Sequence, residues 1–468
     1  MICIYMNIKY SPLVQSFYTA IIQCYNPSMP HINLQNPLTK ALNFWLPCKI
    51  QQEEIPGVVV RISRGGKTLY NNAFGFADTK AKTPMSTETL FRVASMSKMF
   101  TGVAILQLIE KGSITLSTRV SKIIPEFDTD SLRRITIKHL LQHRAGVFRD
   151  AGKNYWNENA FPADVLSDIS PSTKVTEENK EFKYSNFGFT VLGKIIEAVS
   201  GQSYGDYVHK NIIAKLSLKD TFPDYSDDLK SRTARGYSRK LFNQKQYAFA
   251  QSKTNEFAPA AGFVSTAKDI DIFLTDVWGE KSKVLSKKSQ ELLASSFKKI
   301  SGALAYGFGF KRDSSSGKQF VCHGGGYNGF VTYALHVPKE KLSVVVFTNR
   351  LGGSPDLFAT NILDLISWIE EMVPAEKKVN MEKYEGIYRD VWSDDCVVGV
   401  SGNLLVFNPT LWKPFGSRTY LHPTGGDTFE IRSSSRFGSV GESATFCDFE
   451  DMKAQTMQYG GAILKRVL

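Results

Sequence analysis

The sequence predicts an α+β fold in which one antiparallel sheet is formed from both ends of a large domain, with a helical region inserted between them. Two observations lead to this prediction: strand patterns occur near residues 55–78 and return after residue 304, and helical patterns fill most of the sequence between. A third observation is that the last part of the chain alternates in strand fashion, which predicts a small, separate all-β domain. A chain of 468 residues is long enough for two or three domains.

The first two predicted elements are a β-hairpin and a buried helix. In IPGVVVRISRGGKTLYNNAFGFAD, residues 55–78, β-branched and aromatic residues flank a Gly65-Gly66 turn. The run from Ser95 to Lys111 is apolar nearly all round, and Gly112 follows it as a typical residue after a helix C-terminus. Because it lacks a polar face, this helix is expected in the centre of the domain.

Residues 115–300 are predicted to be mainly helical. The clearest helical patterns are FTVLGKIIEAVSG and YGDYVHKNIIAKL. Strand patterns then return in YGFGF, FVTYALHV and KLSVVVFTN, and an amphipathic helix follows in LFATNILDLISWIEEM. The helical part is therefore expected as an insertion packed against the sheet.

Composition divides the chain into four predicted regions. Residues 1–37 form an N-terminal extension, 38–372 the large domain, 373–381 a polar linker and 382–468 the small β domain. The apolar run of the extension is interrupted by polar residues and is not followed by an A-x-A cleavage site, so it is a poor signal peptide and too broken for a membrane span. No other window reaches the length of a transmembrane helix.

Charge and cysteine content exclude several classes of protein. The chain has 57 Lys and Arg against 45 Asp and Glu, a formal net charge of +12. The lysines are dispersed and no groove-reading motif accompanies them, which argues against nucleic-acid binding and leaves weak association with an anionic cell wall or membrane surface open. Six scattered cysteines without CxxC pairs argue against a disulfide scaffold and a zinc ribbon.

Ser95 and Lys98 form the strongest candidate for chemistry. At the opening turn of a helix, positions i and i+3 lie on one face, so the lysine amine can reach the serine hydroxyl. Burial disfavours the charged amine and can make it a base near neutral pH, and the helix N-terminus offers N–H groups to an oxyanion. The alternative is a capping serine beside a solvated lysine. The same spacing recurs in polar sequence at Ser265/Lys268, Ser295/Lys298, Ser296/Lys299 and Ser315/Lys318.

Two further motifs add candidate residues. Tyr184 and Asn186 lie at a predicted strand-to-helix junction, where a phenol can relay a proton and an amide can orient a substrate; a turn with a packed tyrosine is the alternative. The Y-x-N spacing also occurs at Tyr70/Asn72 and Tyr155/Asn157, so it is weak by itself. In CHGGGYNGF, residues 322–330, His323 is a titratable donor and the glycines allow close approach of a ligand to a strand edge.

Three other patterns in the sequence are rejected. Cys322 and His323 are neighbours on a strand and so face opposite sides, which predicts a buried structural thiol. Gly324, Gly326 and Gly329 satisfy G-x-G-x-x-G, but a strand pattern follows them where a dinucleotide site needs a helix. The pair His139 and His143 has helical i, i+4 spacing without the glutamate of H-E-x-x-H or a third ligand, which argues against zinc.

Taken in order along the chain, these motifs resemble one family. The chain is similar to serine β-lactamase-like hydrolases, in particular the group of class C β-lactamases, D-alanyl-D-alanine carboxypeptidases and family VIII esterases, over about residues 40–370. The resemblance rests on FRVASMSKMFTGVAILQLIEKG, ITIKHLLQHRAGV, FKYSNFGFTVLGKIIEAVSG, PAAGFVSTAKDI and YGFGF…CHGGGYNGFVTYALHVP. It implies a β-lactamase/transpeptidase-like fold, a β-barrel-like C-terminal domain, no metal or other cofactor, and a periplasmic or secreted location.

The resemblance also implies roles for individual residues. Ser95 is the acylated nucleophile, Lys98 its general-base partner and Tyr184 a proton shuttle to the leaving group. Asn186 orients the substrate. The oxyanion hole is formed by the backbone N–H groups of Ser95 and Gly326.

The third family motif departs from the β-lactamase pattern. His323 and Gly325 occupy the motif that is lysine-threonine-glycine in true β-lactamases, where they are expected to bind substrate. A histidine is mostly neutral at pH 7 and holds a carboxylate less strongly than an ammonium, which argues against efficient β-lactam hydrolysis.

The resulting hypothesis is a metal-free serine hydrolase that forms an acyl-enzyme on a D-amino-acid peptide, a small ester or a β-lactam. An acyltransferase differs only in the final acceptor and stays open. The alternative from another class is an inactive member that serves as a penicillin-binding or scaffolding protein.

Overall fold

The structure is a computed structural model that describes residues 37–150, 161, 164–240, 244–314, 317–372, 375, 380–416, 419–434 and 439–468. The predicted extension 1–37, apart from Pro37, and most of the predicted linker 373–381 lie outside these residues. The described chain forms two compact units, one of residues 55–363 and one that joins residues up to 54 with residues 364–468.

The larger unit is built on a nine-stranded antiparallel sheet with the strand order β3-β2-β1-β11-β10-β9-β8-β7-β6. Its strands are β1 Gly57–Arg64, β2 Lys67–Asp78, β3 Thr83–Pro84, β6 Lys298–Ser301, β7 Leu304–Gly307, β8 Phe310–Asp313, β9 Phe320–Tyr327, β10 Phe330–Val337 and β11 Leu342–Thr348. Two short strands, β4 Phe91–Arg92 and β5 Val264–Ser265, pair separately.

The sheet joins the two ends of this unit, as the sequence predicted. β1 pairs with β2 in the predicted hairpin and, on its other side, with β11, so that Val58 lies opposite Thr348. Every residue of β1 except the last is buried, because the strand lies inside the sheet with both neighbours formed. The predicted α+β class is confirmed.

The helices of the described chain begin with α1 Pro37–Gln52 and the central α2 Ser97–Glu110, which follows a 3₁₀ turn at Ala94–Met96. As predicted, α2 is buried on nearly all sides, with Phe100 stacked between Phe263 and Phe273. The others are α3 Ile137–Leu141, α4 Asn186–Ser200, α5 Tyr204–Val208, α6 Ala214–Leu216, α7 Ala258–Ala261, α8 Ala267–Val277, α9 Lys287–Ser295 and α10 Pro355–Glu371.

Residues 115–300 are less helical than the sequence analysis predicted. Between α3 and α4 the described chain contains only short 3₁₀ turns and irregular segments, and the same holds between α6 and α7. Buried apolar residues such as Phe161 in the first segment and Phe257 in the second anchor these segments to the core of the unit. Burial therefore holds them in place without regular backbone hydrogen bonding.

The second unit contains a closed barrel of eight antiparallel strands, which confirms the predicted all-β domain. The strands are β12 Gly386–Arg389, β13 Asp394–Val400, β14 Asn403–Phe407, β15 Thr419–Gly425, β16 Thr428–Ser434, β17 Ser443–Glu450, β18 Lys453–Tyr459 and β19 Ala462–Arg466. β15 and β18 were not predicted. Closure pairs β12 with β19, so the barrel has no free edge strand among these eight.

Helix α1 belongs to the barrel unit, whereas the sequence analysis had included residues from 38 in the large domain. Trp45 is fully buried and meets Phe415 edge-to-face at 5.2 Å, and Lys40 forms an ion pair of 2.9 Å with Glu385. The periodicity of a helix indicates an apolar face but not its distant partner. No helix in the described part of the chain is long and apolar enough to cross a membrane.

Candidate active site

Ser95 lies at a strained backbone turn that leads into α2. Ala94, the preceding residue, has a φ of 48°, a left-handed conformation that is costly for a residue with a side chain. The turn is held by Ser97, whose hydroxyl donates to the Ala94 carbonyl at 2.5 Å and accepts from the Phe263 N–H at 3.1 Å. These bonds place Ser95, which is half-buried, at the start of the helix.

Lys98 is fully buried and has three close polar partners. Its Nζ lies 2.7 Å from Asn186 Oδ1, 2.7 Å from the Ala260 carbonyl oxygen and 3.3 Å from Ser95 Oγ. The first two partners can only accept hydrogen bonds, whereas the serine hydroxyl can also donate. A neutral amine has two N–H donors and one lone pair, so this arrangement satisfies both donors and turns the lone pair towards Ser95.

The surroundings favour the neutral form of Lys98. Burial holds its pKa well below the usual value, and the Asp150 carboxylate opposes that shift only in part. An amine with a lowered pKa can accept the Ser95 proton at a pH where an exposed lysine is protonated.

Tyr184 contacts both Ser95 and Lys98. Its hydroxyl is hydrogen-bonded to the Ser95 side chain, and its ring centroid lies 4.9 Å from Lys98 Nζ. Burial raises the pKa of the phenol, so the hydroxyl keeps its proton at neutral pH. A protonated phenol that contacts both groups can pass protons between the serine oxygen and a leaving group.

Asn186 is the first residue of α4 and joins the same cluster. Ser185 caps this helix by accepting from the Gly188 N–H at 2.8 Å, and so the junction is a loop-to-helix turn with no strand before it. The Asn186 side chain is buried and uses both ends of its amide: Oδ1 accepts from Lys98, and Nδ2 donates to Asp150 Oδ1 at 2.6 Å.

Gly325 allows β9 to approach the Ser95 turn closely. A Cβ at this position would lie 2.1 Å from the Val93 carbonyl oxygen and 2.5 Å from Thr332 Oγ1, far inside contact distance. Gly326, the next residue, is exposed, and a Cβ there would meet nothing within 4 Å. In the described register, β8 pairs with β9 only as far as Cys322, which leaves the edge of β9 at residues 323–327 open towards the turn.

His323 needs a correction, because it does not face the open site. It is 1% exposed, its Nδ1 donates to the Gly324 carbonyl at 2.7 Å, and its Nε2 accepts from the Tyr306 hydroxyl at 3.3 Å. Both ring nitrogens are thus engaged inside the protein, and burial holds its pKa well below the usual value. The neutral, buried ring supports β9 and is not arranged to hold a substrate carboxylate.

The site also contains residues that the sequence analysis did not assign. Ala260 lies within the motif PAAGFVSTAKDI, but nothing in the motif indicates that its backbone carbonyl accepts a hydrogen bond from Lys98. His143 accepts from the Ser185 N–H at 3.1 Å, and its ring lies 4.3 Å from that of Tyr184. Asp150 has no sequence signal, since a lone aspartate in a loop is ordinary.

The rejected motifs have other roles in the described chain. Cys322 hydrogen-bonds Tyr333 and His323 contacts Tyr306, so the two neighbours do face opposite sides. The glycines of G-x-G-x-x-G lie in the β9–β10 hairpin. His139 caps its own short helix with Thr136, and no three metal-binding side chains are grouped among the described residues.

The other S-x-x-K and Y-x-N pairs have ordinary surroundings where they are described. The Ser265 hydroxyl bonds that of Thr221 at 2.9 Å, and the Ser295 hydroxyl donates to the Leu292 carbonyl at 3.0 Å. Tyr70 and Asn72 lie on β2. Ser315 and the pair Tyr155/Asn157 lie outside the described residues.

Fold and site together define a protein of the β-lactamase/transpeptidase class, and the comparisons agree. A family model described as Beta-lactamase matches residues 44–366. The chain therefore belongs to the Beta-lactamase family, which is a family of serine hydrolases.

One curated relative and two solved structures illustrate the relationship. The chain is 28% identical to Protein flp of Staphylococcus aureus (strain MRSA252) over 311 residues, which is 64% of this chain and 60% of that relative, so it spans less than two thirds of the relative's length. It resembles the octameric penicillin-binding protein homologue from Pyrococcus abyssi with a TM-score of 0.63, 22% identity and coverage of 91% of this chain and 99% of the other. D-amino acid amidase from Ochrobactrum anthropi SV3 matches with a TM-score of 0.63 and 20% identity, over 73% of this chain and all of the amidase. At these identities the solved structures establish the fold.

Proposed function

We propose that the protein hydrolyses an amide or ester through an acyl-enzyme on Ser95, with Lys98 as the general base. The single observation that carries this proposal is the arrangement around Lys98, whose two N–H donors are taken by carbonyl oxygens while Ser95 Oγ lies 3.3 Å from the amine. A lysine with only a surface role would keep its amine in water, because burial of a charged amine is costly. Lys98 is instead fully buried beside a half-exposed serine.

The steps follow from the contacts. Ser95 Oγ attacks the substrate carbonyl carbon while its proton moves to Lys98 Nζ, and the backbone N–H groups of Ser95 and Gly326 receive the oxyanion. Tyr184 gives its proton to the leaving group and takes one from Lys98, which restores the neutral amine. Water then attacks the acyl-enzyme with the same groups acting in reverse.

Because His323 is neutral and buried, it offers no positive charge to a substrate carboxylate near β9. This supports a substrate that does not need a carboxylate for binding there. Among the three substrate classes considered, this favours small esters and amides of D-amino acids over penicillins. The similarity to a D-amino acid amidase supports the same choice. An acyltransferase remains the second candidate, since acceptors other than water would use the same acyl-enzyme.

The test is labelling by a fluorophosphonate probe, which acylating serine hydrolases accept at the nucleophile. We expect the adduct on Ser95 by mass spectrometry and its complete loss in Ser95→Ala. Ser295→Ala is the matched control, because Ser295 has the same S-x-x-K spacing with Lys298 on the surface and should leave labelling unchanged. Labelling that persists in Ser95→Ala, or no labelling of the folded protein, would contradict the proposal and favour an inactive scaffolding member.

The substrate class needs a side-by-side comparison. We expect turnover of p-nitrophenyl esters and D-amino acid amides to exceed that of nitrocefin and of D-alanyl-D-alanine peptides, which carry a free carboxylate. Faster turnover of the two carboxylate-bearing substrates would reverse this preference while leaving the Ser95 mechanism intact. Product analysis with added alcohol or amine acceptors separates hydrolysis from acyl transfer.

A further inference from the structure

Asp150 contacts the proposed catalytic cluster without belonging to it. One carboxylate oxygen accepts from Asn186 Nδ2 at 2.6 Å, and the other pairs with Arg149 Nε at 3.0 Å. Its side chain is 21% exposed, whereas that of Arg149 is 66% exposed. The carboxylate therefore lies at the boundary between the buried cluster and the solvent.

The contact decides which way the Asn186 amide faces. An amide can offer either its oxygen or its nitrogen to Lys98, and the two orientations differ by a half-turn. A carboxylate only accepts hydrogen bonds, so Asp150 binds Nδ2 and leaves Oδ1 for the amine. The reversed amide would place Oδ1 against the carboxylate, which is repulsive, and would direct an N–H at Lys98, where it would donate to the lone pair that is otherwise available to Ser95.

We propose that Asp150 is a positioning residue for acylation of Ser95, which locks the Asn186 amide so that Lys98 presents its lone pair to the serine. The proposal rests on the proposed function, because it assigns Asp150 a role in the same reaction. Asp150 acts through Asn186, since its hydrogen bond reaches the amide and not the serine.

A second observation fixes Asp150 independently of its salt bridge. The carbonyl of Arg149 accepts from the N–H groups of Asn186 at 2.9 Å and Phe187 at 3.0 Å, which ties the loop to the first turn of α4. The Arg149 guanidinium lies 5.4 Å from the ring centroid of Tyr184. The Arg149-Asp150 pair thus contacts the tyrosine, the asparagine and the helix start together.

Asp150 also contributes electrostatically. It supplies the negative charge that opposes the lowering of the Lys98 pKa, so removal of that charge should lower the pKa further. In the described part of the chain, the other titratable groups around Lys98 are cations or neutral rings and cannot replace this charge. They are Arg149 on the same loop, Lys311 on β8, His143 after α3, His323 on β9 and Tyr184 before α4.

The test compares two variants by the rate of fluorophosphonate labelling of Ser95, separated into kinact and KI and measured from pH 5 to 10. Asp150→Ala removes the acceptor, and we expect kinact to fall at least tenfold with KI within twofold of wild type. Asp150→Asn keeps a hydrogen-bond acceptor without the charge. We expect a smaller fall in kinact, and we expect the acid limb of the profile of labelling rate against pH to move to lower pH. The control is Asp130→Ala, since Asp130 also pairs with a nearby arginine but on the exposed surface.

The outcomes are separable. Unchanged kinact in Asp150→Ala overturns the proposal, and so does a loss confined to KI, which would mean a direct ligand contact. An acid limb of Asp150→Asn that moves to higher pH overturns the electrostatic part. Equal losses in both variants together with an equal fall in Tm would indicate a purely structural role and overturn the proposal as well. If the wild-type protein itself is not labelled at Ser95, the proposed function is contradicted, and the role of Asp150 is contradicted with it.

Discussion

Lys98 combines two requirements that usually conflict, because a buried amine must be neutral and yet fully hydrogen-bonded. Its two acceptors come from distant segments, Asn186 at the start of α4 and Ala260 in α7. Among the residues that the structure describes, no carboxylate forms an ion pair with the amine. A directly bonded carboxylate would favour the ammonium and remove the base. Asp150, one amide further away, stabilises the cluster without forming that ion pair.

Activity should therefore show an acid limb set by Lys98. The neutral amine is the active form, so the rate of Ser95 labelling should rise as pH rises through a pKa well below the usual value for lysine. Lys98→Arg keeps a cation that does not deprotonate, and we expect labelling to slow by about 100-fold or more at pH 8. The measurement is the labelling rate against pH.

Lys268→Arg is the control for that substitution, because Lys268 shares the S-x-x-K spacing on a surface position of α8 and should label normally. A Lys98→Arg variant with wild-type rate at pH 8 would exclude Lys98 as the base.

Single residues were predictable where spacing along one element brought them together. Ser95 and Lys98 are one helical turn apart, the Y-x-N motif added Tyr184 and Asn186, and the family resemblance added Gly326. Asp150 was missed because its contact with Asn186 links a loop to a helix start, which no periodicity encodes. His323 was predicted to bind substrate, but the sequence does not indicate that Tyr306, on a different strand, contacts its ring and that the ring is buried.

At the scale of elements, the site depends on how closely β9 approaches the turn before α2. Gly325 makes this approach possible, since any side chain there would meet the Val93 carbonyl. Gly326 has open space at the same strand edge. Of these two adjacent glycines, Gly325 is the one that the close approach requires.

Gly325→Ala should displace β9 from the turn, and we expect destabilisation of about 1–3 kcal/mol and at least tenfold slower Ser95 labelling. Gly326→Ala is the matched neighbour and should change the free energy of unfolding by less than about 0.5 kcal/mol. Chemical denaturation and labelling rates measure both effects. Equal behaviour of the two variants would contradict the close-approach argument.

Helices and strands with a clear hydrophobic periodicity were predicted from the sequence. Strands that form mainly because neighbouring strands pair with them were not. The β1–β2 hairpin, α2 and α4 each have an apolar pattern that identifies them alone. β15 contains Pro423 and β18 reads KAQTMQY, so neither has the apolar alternation of a typical strand. Both are held by strands on either side, β15 by β14 and β16 and β18 by β17 and β19. The irregular segments before α4 were predicted to be helical, because the spacing of their buried aromatic residues resembles the apolar face of a helix.

At the scale of the whole molecule, both units join residues that are far apart in the sequence. The sheet pairs β1 with β11, and the barrel unit includes α1, which precedes the larger unit in the chain. The excess of lysine and arginine lies in residues 55–363, while the barrel unit is slightly acidic. The basic character inferred from the sequence is therefore a property of the larger unit.

The place of α1 in the barrel unit can be tested with two tryptophans. Trp45 is fully buried and contacts Phe415, whereas Trp392 is 87% exposed on the barrel. Trp45→Ala should destabilise the barrel unit by about 3–5 kcal/mol, and Trp392→Ala by less than about 0.5 kcal/mol. Denaturation followed by hydrogen exchange of the barrel strands measures the difference. Unchanged barrel protection in Trp45→Ala would mean that α1 does not stabilise this unit.

The pairing of Val58 with Thr348 has a consequence for synthesis on the ribosome. β1 emerges early, but its partner β11 follows only after the chain between them has been made, which takes about 15 to 60 s at roughly 5–20 residues per second. During that time one edge of a strongly apolar strand has no native neighbour. The nascent chain therefore depends on the β2 side of the hairpin, or on a chaperone, to protect VVVRI until translation passes residue 348.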